Sequence, residues 1–251
     1  MRLGTAVWAE GPGQRQALVA QLPGDPSRLV DLNRVEHLRL AKLGEGRAEA
    51  LAAERVPSCL GRMLECGPRA LQRARRTLAY AEKWHARHGL PEALAPAYDG
   101  VTLLPCLPRL ASLRRWDGTW LDRLFVQGPG AVLAQPPQAT LAWIGLQGGA
   151  AAGCCLALDQ SPGAVLGAWL ELDMDWAGSL ELRIGARRRR VPLDTWKDLV
   201  PENLRPGEVL LAPVPPFRLG PCAPGSRIRL AAPIETLELS LGDHLLHPTL
   251  Q

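Results

Sequence analysis

The sequence predicts an α+β protein, with a small strand-plus-helix domain at the N-terminus followed by a β-rich domain. Three observations carry this. Residues 3–9 (LGTAVWA) and 16–21 (QALVAQ) are short apolar runs separated by the turn-rich EGPGQ. From Asn33 the apolar spacing lengthens toward the helical period. Beyond a Pro-rich stretch at 90–110, the apolar runs become short again and are bounded by Gly, Pro and Asp. These shifts place one domain at 1–95 and a second at 96–251, with 96–110 as the linker.

The elements follow in order. A third run, RLVDL, ends the opening set of hairpins at Asp31. The segment LNRVEHLRLAKLGEGRAEALAAE sets Val35, Leu38, Leu40, Ala41 and Leu43 near helical spacing, with Asn33 available as the N-cap. SCLGRMLEC and PRALQRARRTLAYAEKWHARHG read as a further helical pair, with Pro68 suited to a first turn and Gly89 to a C-terminal stop. After the linker, TLAWIGL, AAGCCLAL, AVLGAWLEL, SLELRIG, RRRVPL, EVLLAPVP, SRIRLAA and ETLELSL read as strands. There is no internal repeat.

Composition narrows the function classes. The 251 residues are 47% hydrophobic and 22% charged, which suits a packed core. A net charge of +4 is too small to predict nucleic acid or membrane as the partner. Without an apolar run of the roughly 18–20 residues needed to span a bilayer, and without a signal-peptide core at the N-terminus, a cytoplasmic location is expected. The six cysteines form no C-x-x-C pair and read as buried free thiols.

The order of several motifs resembles the fumarylacetoacetate hydrolase family. LVDLN, the helical run after it, the VP turn and GPRAL look like that family's N-terminal region. VTLLPCLPRLASLRRW is similar to its linker and S-L-R-D-F segment. LRPGEVLLAPVPPFRLGPCAPGSRIRL looks like its L-x-P-G-D-V-I, glycine-rich loop and P-G-D. The resemblance implies a β-rich second domain of mixed β-sandwich-roll type. It also implies a dimer, and a Mg²⁺ held by two carboxylates of an E-x-E strand and one of an N-D turn, polarising a keto acid.

Matched residue by residue, most of that machinery is missing. AAGCCLALDQS matches the N-D turn, so Asp159 stands at the third carboxylate position and Ser161 is also matched. The E-x-E positions fall on Pro137 and Ala139, and between Leu124 and Gly167 there is no Glu and one Asp. Arg115 replaces an acid of the S-L-R-D-F segment. The expected His near Asp122 is absent, the segment that usually carries a catalytic Lys is deleted, and the lid is reduced to QGG. The expectation is therefore no metal cofactor, with Asp159 as the only retained ligand position.

The remaining candidates are Asp159, Asp122 and Arg115 as catalytic groups, with Arg114, Trp116, Trp120, Ser161 and Cys155 binding substrate. An arginine fork would hold a carboxylate and Asp122 would act as base; the structural alternative is a salt-bridged surface turn with its Trp side chains in the core. Asp173 and Asp175 read as a turn, His244 and His247 as a polar tail, and Arg187–Arg190 as a solvent-facing return strand.

Three functions follow. The first is a non-catalytic subunit, a homodimer or a heteromer with a catalytic relative. The second is a metal-independent enzyme acting on a small enolisable keto acid, by hydrolysis, decarboxylation or isomerisation. The third, expected least, is nucleic-acid binding through Arg187–Arg190. A former pocket plugged by Trp143, Leu158 and Trp169 would favour the first; a pocket lined by Arg, Trp and Asp would favour the second.

Overall fold

A computed structural model describes residues 1–123, 126–133, 138–160, 162–184, 186–213, 226–232 and 235–241. Among these the chain forms two mixed sheets and four α-helices. The opening strands β1 (Arg2–Glu10), β2 (Gly13–Leu22) and β3 (Asp25–Asp31) are the predicted hairpins.

The helices depart from expectation at the α1 cap and at Leu43. The first helical stretch divides at Gly44, whose φ of +80° a side chain would oppose, into α1 (Leu32–Lys42) and α2 (Ala48–Arg55). The α1 cap is Asp31, whose Oδ1 accepts the Arg34 N–H, while Asn33 donates to the Val56 carbonyl. Leu43 is exposed, and the buried face of α1 is instead Leu32, Val35, Glu36 and Leu40. The pair α3 (Leu60–Cys66) and α4 (Pro68–His88) forms as predicted, with Pro68 in the first turn and Gly89 (φ +69°) at the stop.

The large sheet contains β4 (Thr102–Leu103), β5 (Ser112–Arg115), β6 (Trp120–Leu121), β7 (Val126–Gln127), β9 (Gln138–Gly145), β10 (Ala151–Gln160), β11 (Gly163–Leu166), β12 (Trp169–Glu171) and β15 (Glu208–Leu211) as well as β1–β3. Its order is β3-β2-β1-β12-β10-β9-β15-β5-β6, with β11 also pairing β10. β9 and β10 are joined by a tight turn: Leu146 N–H donates to Ala150 O at 2.9 Å, and Gly148 and Gly149 take positive φ.

The sheet also rolls back on itself. Asp122 N–H donates to Pro162 O at 2.9 Å, and β7 pairs parallel with β11. The smaller sheet, in order β14-β13-β16-β17-β8, uses β8 (Val132–Leu133), β13 (Ser179–Ile184), β14 (Arg187–Pro192), β16 (Arg227–Ala231) and β17 (Thr236–Leu241).

Two cores result. One packs α1, α3 and α4 on the large sheet, through residues such as Val35, Met63, Leu78, Leu113 and Ala157. The other fills the space between the two sheets, through Trp143, Leu156, Leu182, Trp196 and Leu230. Because side chains alternate along a strand, β10 serves both: Cys155 and Ala157 face the helices, and Cys154, Leu156 and Leu158 face the small sheet.

Candidate functional site

The roll brings together two residues that the strand order alone keeps apart. Arg115 ends β5 at a turn closed by Arg115 N–H to Thr119 O (2.8 Å) and Gly118 N–H to Arg115 O (3.0 Å). Asp159 lies near the end of β10, in register with Gln138 of β9 and Ala164 of β11. Arg115 Nε donates to Asp159 Oδ2 at 2.6 Å and Nη2 to Oδ1 at 2.7 Å. Asp159 is 9% exposed. Its hydrogen bonds raise the Arg115 guanidinium above its ordinary value, against the opposing effect of burial.

This geometry does not suit a hard divalent cation. Both Asp159 oxygens already accept from a fixed positive charge. The β9 neighbours Gln138 and Ala139 bring no charge, and Pro137 lies outside the described residues. Among the described residues no three His, Cys, Asp or Glu side chains gather as a metal site. Mg²⁺ demands several oxygen ligands, and a guanidinium in bidentate contact repels it.

The other candidates are dispersed. Arg114 points elsewhere, with Nε 2.5 Å from Oε1 of the buried Glu208. Asp122 is exposed at the roll's seam. Trp116 and Trp120 are 40% and 65% exposed, so neither anchors in the core, because the turn they flank projects from the sheet edge. Cys155 is fully buried, and its hydrogen bond with Cys106, followed by burial, pushes the thiol well above its usual range. Ser161 lies outside the described residues, as do Cys222, His244 and His247. Cys59 and Cys66 are exposed, unlike the other described cysteines.

Trp143, Leu158 and Trp169 do not plug the Asp159 side. They belong to the inter-sheet core, on the opposite face of the large sheet. Asp173 pairs with Arg75 at 2.5 and 2.8 Å, and Asp175 caps a turn at Ala177 N–H. Arg187–Arg190 are exposed on β14, where Arg188 and Arg190 share Glu181.

Sequence reasoning missed Glu235. Its carboxylate accepts from Ala168 N–H (3.0 Å) and Trp169 N–H (2.9 Å). A Cβ at Gly167 would fall 2.6 Å from Glu235 Oε1, so the glycine makes room for the acid. Burial pushes Glu235 up to about 7, against the lowering effect of the two N–H donors and Arg2. It lines a cavity of about 580 Å³ with Arg2, Gln21, Tyr98, Asp99 and Trp169. The partners lie 66 and 67 residues away in sequence, and no local pattern marks the pairing.

A rolled mixed sheet packed between helices and a second sheet is the architecture of a set of solved enzymes. The 5-carboxymethyl-2-hydroxymuconate delta-isomerase from Mycobacterium smegmatis is 15% identical, with a TM-score of 0.55 over 96% of this chain and 99% of that one. The 2-hydroxyhepta-2,4-diene-1,7-dioate isomerase from Mycobacterium marinum is 14% identical, with a TM-score of 0.51 over 96% and 98%. A 2-keto-3-deoxy-D-arabinonate dehydratase complexed with magnesium and 2,5-dioxopentanoate is 10% identical, with a TM-score of 0.51 over 96% and 99%. The resemblance to the fumarylacetoacetate hydrolase family therefore holds at the level of the fold. No family model matches the sequence, and no curated protein does. No helix among the described residues is long and apolar enough to cross a membrane.

Proposed function

We propose that this chain keeps the fold of the keto-acid enzymes without their metal chemistry and works as a non-catalytic subunit, paired with a second copy or with a catalytic relative. The observation that carries this is the bidentate Arg115–Asp159 pair. The one carboxylate retained at a metal position is neutralised by the chain's own cation, which needs no cofactor and exchanges with none. The charge that a metal would supply is thus built in, and it braces the roll.

The test is a Mg²⁺ and Mn²⁺ titration by calorimetry on the wild type, Asp159→Ala and Arg115→Ala. Neither the wild type nor Asp159→Ala should bind appreciably, and Arg115→Ala, which frees one carboxylate, should bind only weakly. Tight wild-type binding that disappears in Asp159→Ala would overturn the proposal.

A second function, metal-independent chemistry on a small enolisable keto acid, is favoured by Glu235 beside its cavity. A carboxyl that titrates near neutrality suits proton transfer, and Arg2 places a cation in the same lining. Asp122, Arg115 and Cys155 are not in the lining of that cavity. Deuterium incorporation into short 2-oxo acids in D₂O, followed by NMR, tests it: turnover abolished in Glu235→Gln supports it, and no turnover in the wild type rejects it.

A further inference from the structure

The first helices gather four guanidiniums in a cavity that neither Arg115 nor Asp159 lines. Arg39 of α1, Arg55 in the last turn of α2, and Arg73 and Arg76 of α4 line a cavity of about 360 Å³ with a single acid, Glu36. Glu36 is 2% exposed and already committed. It accepts from Arg39 Nε and Nη2, both at 2.7 Å, and from Thr77 Oγ1 at 2.9 Å. Arg39 is thereby neutralised, and Arg55 acts on Glu36 through its charge alone.

Arg73 and Arg76 are uncompensated along their own helix. At three and four residues on either side stand Arg69, Ala70, Gln72, Ala79, Thr77 and Tyr80, and the helix carries one acid, Glu82. Like charges at i, i+3 cost a few tenths of a kcal/mol. Other arginines are matched: Arg75 with Asp173, Arg62 with Glu65, Arg34 with Glu10. Three helices thus converge cations on one concavity and supply no counter-charge beyond the one Arg39 consumes.

We propose that this cavity binds a small soluble phosphate-bearing anion. Guanidinium forks match phosphate oxygens two at a time, and a tetrahedral group offers oxygens to cations arriving from three directions, which a planar carboxylate does not. The volume lies at the small end of ligand pockets, large enough for a phosphate or diphosphate moiety.

The probe is inorganic pyrophosphate, titrated by calorimetry at constant ionic strength. Arg73 and Arg76 are exposed, so Arg73→Gln/Arg76→Gln should fold as the wild type does by circular dichroism while losing at least tenfold in affinity. Arg55→Gln gives an independent second variant. Arg188→Gln/Arg190→Gln, on the other basic surface, should leave binding unchanged. Equal binding in the Arg73/Arg76 variant, or wild-type binding no tighter than that of sulfate, overturns the proposal. Tighter binding of citrate than pyrophosphate overturns the phosphate assignment. Capture by phosphatidic-acid vesicles without pyrophosphate binding would replace the soluble ligand with a lipid headgroup.

Discussion

Arg115 and Asp159 join β5 to β10 by two parallel hydrogen bonds of 2.6 and 2.7 Å, although β9 and β15 separate the two strands in the order of the large sheet. The pair is half-buried at the arginine and nearly closed off at the aspartate. Arg115→Ala leaves that carboxylate without its partner and should destabilise the fold by about 1–3 kcal/mol, between the values for exposed and fully buried pairs. Arg115→Met with Asp159→Leu should recover part of the loss. Urea unfolding of Arg115→Met, Asp159→Leu and the double checks this, and additive losses would show that the two side chains are not coupled.

Glu235 should make stability depend on pH. Its folded-state value is raised from 4.5 to about 7, so between those values the folded state holds more proton than the unfolded one. Its contribution is complete below about pH 4.5 and is lost as pH rises through 7. Glu235→Gln should remove that slope, while leaving one of the Ala168 and Trp169 N–H donors without its acceptor at a cost of about 1–3 kcal/mol. Melting temperatures from pH 5 to 8 decide it, and a parallel pH slope in the variant counts against the raised value.

Glu36 acts in the opposite sense. Burial raises it, but Arg39 and Thr77, with the charges of Arg39 and Arg55, bring it below its usual value. Its contribution is present above pH 4.5 and is lost as pH falls through the folded value. Glu36→Gln should cost about 1–3 kcal/mol at neutral pH through weakened charged hydrogen bonds. The same change removes the one acid that lines the arginine cavity among the described residues, so pyrophosphate should bind the variant more tightly. Unchanged pyrophosphate affinity would separate Glu36 from that site.

The thiols should divide by burial. Cys59 and Cys66 are exposed, while Cys106, Cys154 and Cys155 are enclosed, and burial pushes Cys154 up to about 12. Iodoacetamide on the native protein should label Cys59 and Cys66 within minutes and leave the other three unmodified until the protein unfolds, as read by peptide mass spectrometry. Early labelling of Cys155 would return it to the candidate nucleophiles.

Much of the architecture was legible because it is local. Hairpins at LGTAVWA and QALVAQ, the Pro68 start and Gly89 stop of α4, and the strand series from TLAWIGL to ETLELSL follow from apolar period and turn residues. The errors were also local competitions. Asp31 takes the cap while the Asn33 side chain bonds the Val56 carbonyl, and Leu43, counted on the apolar face, is exposed beside Gly44.

The sequence by itself determined the order of the main hairpins, helices and strands, the family likeness of the fold, and that between Leu124 and Gly167 there is one Asp and no Glu. Only the tertiary structure decided what Asp159 does. The roll places Arg115 against it from 44 residues away, and no spacing rule relates two residues joined by sheet curvature. The same holds for Glu235 under Trp169 and for four arginines on three helices. Period and turn chemistry act between near neighbours along the chain, whereas charge pairing, burial and the shape of a cavity are set by which distant segments the packed core brings face to face.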